Sequence, residues 1–366
     1  MFDVRSVKFV LCAAMIAGLA LSWRLWVSLH RLYPRIPVDG LPLFNPRLEA
    51  IAYVLLIASF AVAAFVRRPA IFLGVAVIVI ALFVAGDQSR LQPWVFEYAS
   101  LLFVISFGSE GAMSTCRLIV TAIYFWSGVQ KINVTFLHTT WPDFAAGLIQ
   151  RVPQLRPAGI AVPIVECAVG ICLLARRSRR PAIIAAVLLH GVVLASLILT
   201  GENSVVWPWN AGMALLVVML FWRSSEPASQ IIMNRRFRLH ALFAILFVVM
   251  PAFSFAGWWD AYASSALYSG DIAQAVVYVD SPLIARFPGS MREYIWQQSE
   301  PMFLDINRWS YGELNVPAYP EPRVLWRIGQ EVCSDYARAV NAMVRIFYRP
   351  DWRTGKRESE IRMCGR

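Results

Sequence analysis

Residues 181–200 read PAIIAAVLLHGVVLASLILT and hold one ionisable side chain, His190; they directly follow Arg176, Arg177, Arg179 and Arg180. A helix of about 20 residues rises about 30 Å, the thickness of a bilayer's hydrocarbon core. A helix on the surface of a soluble protein would carry a polar face, and this stretch has none. Comparable apolar blocks lie near 7–29, 48–66, 70–86, 94–107, 114–134, 157–175, 209–222 and 239–256. Their unbroken apolarity excludes the alternating pattern of a membrane barrel. The expectation is an all-α polytopic membrane protein of about nine transmembrane helices, residues 1–256, followed by a different kind of region.

Composition agrees. Hydrophobic residues are 58% of the 366 and charged residues 16%, whereas soluble chains sit nearer half and a quarter. A net charge of +11 could suggest nucleic acid, but the arginines cluster in short loops between apolar blocks, as the positive-inside rule requires. Arg67 and Arg68, the cluster Arg176 to Arg180, and Arg223, Arg235, Arg236 and Arg238 all fall on one side if the N-terminus is cytoplasmic. Arg31 and Arg35 oppose that orientation. The block after Lys8 contains Arg24 and lacks an A-x-A-like cleavage site, so it reads as a retained first helix. A bacterial inner membrane is the expected location, with the lipid bilayer as first partner.

Nine crossings place residues 257–366 outside. There the charges are interspersed and Pro and Gly punctuate the chain, which reads as a small C-terminal α+β extracytoplasmic domain. Ala275 to Val279, Ala342 to Tyr348 and Glu360 to Cys364 look like strands, and Pro322 to Val340 has helical spacing. Cys333 and Cys364 are expected to form a disulfide in an oxidising compartment. Cys12, Cys116, Cys167 and Cys172 read as small packing residues in or near helices. The polar, Trp-rich loops Asp87 to Trp94, His138 to Pro157 and Gly201 to Asn210 share the outer face with Lys131, so any site should lie there.

Ionisable residues inside spans are costly and commonly functional; here they include Glu97, Lys131, Glu166 and His190. The chain has three lysines against many arginines, and a lysine, unlike an arginine, can lose its proton and act as a base. The alternative is a lysine snorkelling to the interface. Glu166 lies about nine residues from the outer end of its block, about 13 Å deep at 1.5 Å per residue. Lys131 is therefore expected to be governed by desolvation and not by pairing with Glu166. A Glu–His or Glu–Lys pair could handle protons, or could simply hold helices together. Scattered histidines and the lack of HExxH or P-loop spacing imply no metal or haem.

Residues 124–133, YFWSGVQKIN, resemble the segment around the catalytic lysine of the vitamin K-dependent gamma-glutamyl carboxylases and their bacterial HTTM-domain relatives. They share an aromatic pair, a small residue, Gly, Val and a lysine. His190, Gly201 and the WPWN loop at 207–210 resemble a later part of that domain, and DoxX-like proteins are a second resemblance. The chain departs from the carboxylase pattern at Gln130, at Asn133 and in its small outer domain, which puts glutamate carboxylation in doubt. The resemblance implies an enzyme with quinone- or quinol-linked base or redox chemistry at the outer face. Lys131 would be the proton acceptor, with Glu166 and His190 beside it. Trp94, Tyr124, Trp126, Trp207, Trp209 and Asn210 would hold the quinone. A periplasmic protein or peptide would be the substrate. The alternative reading is a non-catalytic membrane scaffold or assembly subunit that presents its C-terminal domain to a periplasmic partner. A carrier is less favoured, because no duplicated halves are visible.

Overall fold

The computed structural model describes residues 3–108, 111–336 and 342–364. The first helix, α1 (Val4–Leu21), opens on Asp3, whose carboxylate accepts the backbone N–H of Ser6 at 2.8 Å. Such a cap satisfies one of the four amides that a helix start leaves unpaired. Then follow α2 (Pro46–Phe65), with Pro46 in its first turn and Asn45 capping it, α3 (Ala70–Gly86) and α4 (Pro93–Ser106). Next come α5 (Ala112–Gln130), α6 (Ala161–Leu174), α7 (Arg179–Thr200) and α8 (Val206–Phe221). The last apolar helix is α9 (His240–Ala256). It changes from α-helix to a π turn at Ile245–Val249 and a 3₁₀ turn from Met250, where Pro251 lacks an N–H and its ring crowds the preceding turn.

Each apolar block in the sequence thus corresponds to a helix among the described residues, except that the first, expected at 7–29, ends at Leu21 and is followed by a separate turn of helix at Trp23–Trp26. Five helices are long and apolar enough to cross a membrane: α1, α2, α5, α7 and α6 counted with the turn before it from Pro153; α3, α4, α8 and α9 are shorter. The chain is mostly helical, with the character of a membrane protein. In α5, 78% of the residues are buried, against 28–44% in the other four long helices, so α5 is the central one. Large apolar side chains such as Phe65, Ile71 and Leu188 are more than half exposed on the outside, which suits lipid as the surrounding solvent.

The C-terminal region forms a five-stranded antiparallel sheet in the order β2-β3-β1-β4-β5. The strands are β1 (Gln274–Tyr278), β2 (Ile295–Trp296), β3 (Phe303–Asp305), β4 (Met343–Phe347) and β5 (Ser359–Met363). The two longer helices beside them are α10 (Ile306–Leu314) and α11 (Pro322–Tyr336). Alternation puts Ala275, Val277, Val344 and Ile346 on the buried face, and α11 packs on β1 and β4 with Val324, Leu325, Ile328 and Val332 buried. The expected strands at β1, β4 and β5 are present. The helix expected to Val340 is seen to Tyr336, and 337–340 lie outside the described residues. Cys333 and Cys364 are joined, with Cα atoms 5.3 Å apart, as the sequence suggested. The region is bonded to the helix ends. Asn315 Nδ2 donates to Leu21 O at 3.0 Å and Ser204 Oγ at 2.9 Å, and Arg349 bonds both Asp271 and Gln130 Oε1.

Candidate functional site

Between α5 and α6 the backbones nearly touch. A Cβ on Gly128 would lie 2.6 Å from Cys167 N, and one on Gly170 would lie 2.7 Å from Phe125 N. Only glycine permits this approach, and small residues are how membrane helices draw close. One consequence is chemical. Lys131 ends α5, and its side chain reaches back one turn to donate to Ser127 O at 3.1 Å and Ser127 Oγ at 2.6 Å, and across to Glu166 Oε2 at 2.8 Å. Three acceptors match the three N–H groups of an ammonium.

The expectation that depth would separate Lys131 from Glu166 is therefore corrected. The α-helix begins at Ala161 after a 3₁₀ turn, Pro153–Ile160, so Glu166 sits about 7 to 8 Å along it at 1.5 Å per residue. The backward reach of Lys131 closes the remainder. A free amine poised as a base is not what this geometry presents.

The pair lies on the wall of a cavity of about 880 Å³. Helices α4 to α8 surround it, the short turns between Phe136 and Ala158 cross it, and Ser265, Leu267 and Tyr268 roof it. Most of the wall is apolar or aromatic. Its polar end collects Glu97, Tyr124, Lys131, Glu166, His190 and Asn210. Val165, Leu188 and Val192 line the cavity while also exposed at the outer surface of the helices, so its mouth opens sideways toward lipid.

Hydrogen bonding fixes the histidine. Asn210 Nδ2 donates to Val206 O at 2.8 Å, which turns Oδ1 toward His190 Nδ1 at 2.9 Å. His190 Nδ1 then donates to Asn210, and Nε2 is bonded to Tyr124 OH at 2.7 Å, so both ring nitrogens are occupied. Glu97, 2% exposed, accepts from Trp209 Nε1 at 3.0 Å and from Ser265 Oγ at 3.4 Å. Among the described residues no cation pairs with it.

The structure thus brings together Lys131, Glu166, His190, Tyr124, Trp209 and Asn210 from the sequence-derived set. It separates three others. Trp94 is buried against Trp26, ring centroids 6.5 Å apart, and against Gly18. Trp126 Nε1 donates to Val248 O at 3.1 Å, and Trp207 Nε1 to Glu202 O at 3.2 Å; neither lines the cavity. The loop from Asp87 to Trp94 is not a cavity mouth. It is a buried structural knot in which Arg90 bonds Glu49 at 2.9 Å and Asp87 bonds Arg31 at 2.8 Å. Sequence reasoning left out Ser265 and Tyr268, whose roofing depends on left-handed backbone at φ 58° and 57° that no local residue type signals. Glu97 was visible as an intramembrane acid, but nothing local tied it to Lys131.

No curated protein and no solved structure matches the chain. Residues 109–206, about a quarter of it, match the family model described as methylamine utilisation protein MauE. That match overturns the resemblance to the HTTM and vitamin K-dependent carboxylase proteins, and the second one to DoxX-like proteins, whose strongest part was the ten residues 124–133 of the same segment. The stretch that supplies Tyr124, Lys131, Glu166 and His190 to the cavity is similar to the methylamine utilisation protein MauE.

Proposed function

We propose that this chain is a membrane-embedded accessory protein, an assembly or support subunit that presents its C-terminal sheet region to a periplasmic partner. The likeness of residues 109–206 to a methylamine utilisation protein extends the proposal to a supporting role in the use of methylamine or a related small amine. The observation that carries the accessory reading is the saturation of Lys131 by Glu166 and Ser127. Lys131, the lysine on the cavity wall, has an acceptor for each of its N–H groups, and both ring nitrogens of His190 are bonded, to Tyr124 and Asn210.

In this reading all nine apolar helices cross a bacterial inner membrane, with the N-terminus in the cytoplasm and the sheet outside. The pairing of Arg31 with Asp87 and of Arg35 with Glu49 supports that orientation. These two arginines opposed the positive-inside pattern, but they are engaged inside the protein in an ion-pair cluster that they share with Arg90. The test is growth. Deleting the gene should abolish growth on methylamine as nitrogen source and leave growth on ammonium intact, with rescue by the full chain. Unchanged growth on methylamine would remove the amine-utilisation part of the proposal.

A further inference from the structure

The polar end of the cavity is unbalanced in a definite way. Its donors are nearly all committed. The three N–H groups of Lys131 go to Ser127 and Glu166, Trp209 Nε1 and Ser265 Oγ go to Glu97, and Tyr124 OH goes to His190. Acceptors are left over. A carboxylate offers about four lone-pair sites; Glu97 uses one on each oxygen, and only Oε2 of Glu166 is engaged. The groups are unequal in the same sense, because two carboxyl groups, Glu97 and Glu166, share one lysine, and Lys131 bonds only Glu166. A carboxyl group buried in apolar surroundings without a cation keeps its proton, and a cation that joins it stabilises the carboxylate in its place.

The walls add a second indication. Trp209, Tyr268, Tyr124 and Phe144 contribute rings to the same chamber, and aromatic faces attract organic cations. The rest of the roughly 880 Å³ is apolar and opens toward lipid past Val165, Leu188 and Val192. That volume suits a drug-sized molecule and not a one-carbon ion.

We propose that the cavity binds an amphiphilic organic ammonium ion, with its protonated amine on Glu97 among the aromatic rings and its alkyl body in the apolar chamber. A ligand rich in donors and carrying one positive charge completes both shortfalls. A quinone, which offers carbonyl acceptors, would meet few open donors on this wall, chiefly the Ser127 hydroxyl and the second N–H of Asn210 Nδ2. The inference rests on the accessory reading only in that the ligand is held and not transformed.

The test uses the full chain in phosphatidylcholine nanodiscs, titrated calorimetrically with octylamine, 1-octanol and a short-chain ubiquinone. Octylamine should bind saturably and at least tenfold tighter than octanol. Affinity along butylamine, hexylamine and octylamine should rise ~4-fold per methylene, the ratio expected for burying one CH₂. Glu97→Gln should lower octylamine affinity at least tenfold and leave octanol binding unchanged, with an unaltered melting midpoint showing that the variant is folded. Met213→Trp, which fills the chamber beside Asn210, should abolish binding of all chain lengths. Equal affinity for octanol, tighter binding of the quinone, or octylamine binding indifferent to Glu97→Gln would each overturn the proposal. Binding is read apart from growth, so octylamine binding in a protein dispensable for methylamine growth would remove the amine-utilisation part of the accessory reading and leave this one standing.

Discussion

Lys131 shows how a residue's role depends on what another helix brings to it. Its scarcity in an arginine-rich chain marked it in the sequence, and so did its place beside Ser127 and Gly128. Its partner did not show, because Glu166 is 35 residues away and lies on a helix whose start is hidden by a 3₁₀ turn. Counting residues from the edge of an apolar block measured depth along the wrong origin. The pair makes a prediction. Lys131→Met strands a carboxylate that is 5% exposed, and breaking one partner of a buried pair costs about 3–5 kcal/mol. Lys131→Met combined with Glu166→Gln removes both charges and should regain most of that loss. Thermal unfolding in nanodiscs of the single and double variants checks it, and a double variant no more stable than the single one would refute it. Gly128 carries the same lesson for packing. Gly128→Leu should lower the melting midpoint by several degrees, because its side chain would meet backbone of α6. Gly74→Ala, facing open space on α3, should not lower it, because alanine is the better helix former.

Elements were legible in the sequence in proportion to their length and the strength of their pattern. The apolar helices stood out as blocks, and β1, β4 and β5 showed β-type runs. β2 and β3 span two and three residues, too short to display any period, and only the pairing of β3 with β1 and of β2 with β3 makes them strands. The seam where the segment after α9 meets α11 gives a prediction about pH. Arg323 takes Asp260 with two bonds, at 2.9 and 2.6 Å, while Glu321 lies 3.6 Å from the same guanidinium and accepts the N–H of Ala261. Burial, aided by the charge of Asp260, pushes Glu321 up to about 7 from 4.5; Arg323 is mostly committed to Asp260 and opposes this weakly. Folded protein therefore binds more protons than unfolded between those values. The contribution of Glu321 is fully present below about 4.5 and is lost as pH rises through 7. Its size is a few kcal/mol at most, at about 1.4 kcal/mol per unit. Glu321→Gln should flatten the dependence of the melting midpoint between pH 5 and 8; an unchanged slope would show that another group governs it.

At the scale of the molecule, composition and arginine placement led to a helical membrane chain with a small mixed C-terminal region, and the structure has that form. What composition could not reveal is how far the two are joined. Segment 257–272 roofs the helix cavity, and Arg349, Asn315 and Glu313 bond directly to helix ends and loops. The Cys333–Cys364 bond spans 31 residues, and a loop of that length is worth about 3–4 kcal/mol in a chain-entropy account. Dithiothreitol should accordingly lower the melting midpoint of purified protein, and Cys333→Ser should reproduce the loss without reductant. Family likeness was the least legible feature, because ten residues around a lysine resemble several helix ends, and the match over residues 109–206 is what separates them. The central claim is that this chain supports amine utilisation by its structure and not by base chemistry at Lys131. Its most direct test is complementation of a deletion strain by the Lys131→Met/Glu166→Gln variant, with membrane levels matched to wild type by immunoblot. The account predicts growth on methylamine at the wild-type rate; a stable, correctly inserted double variant that fails to restore growth would contradict it.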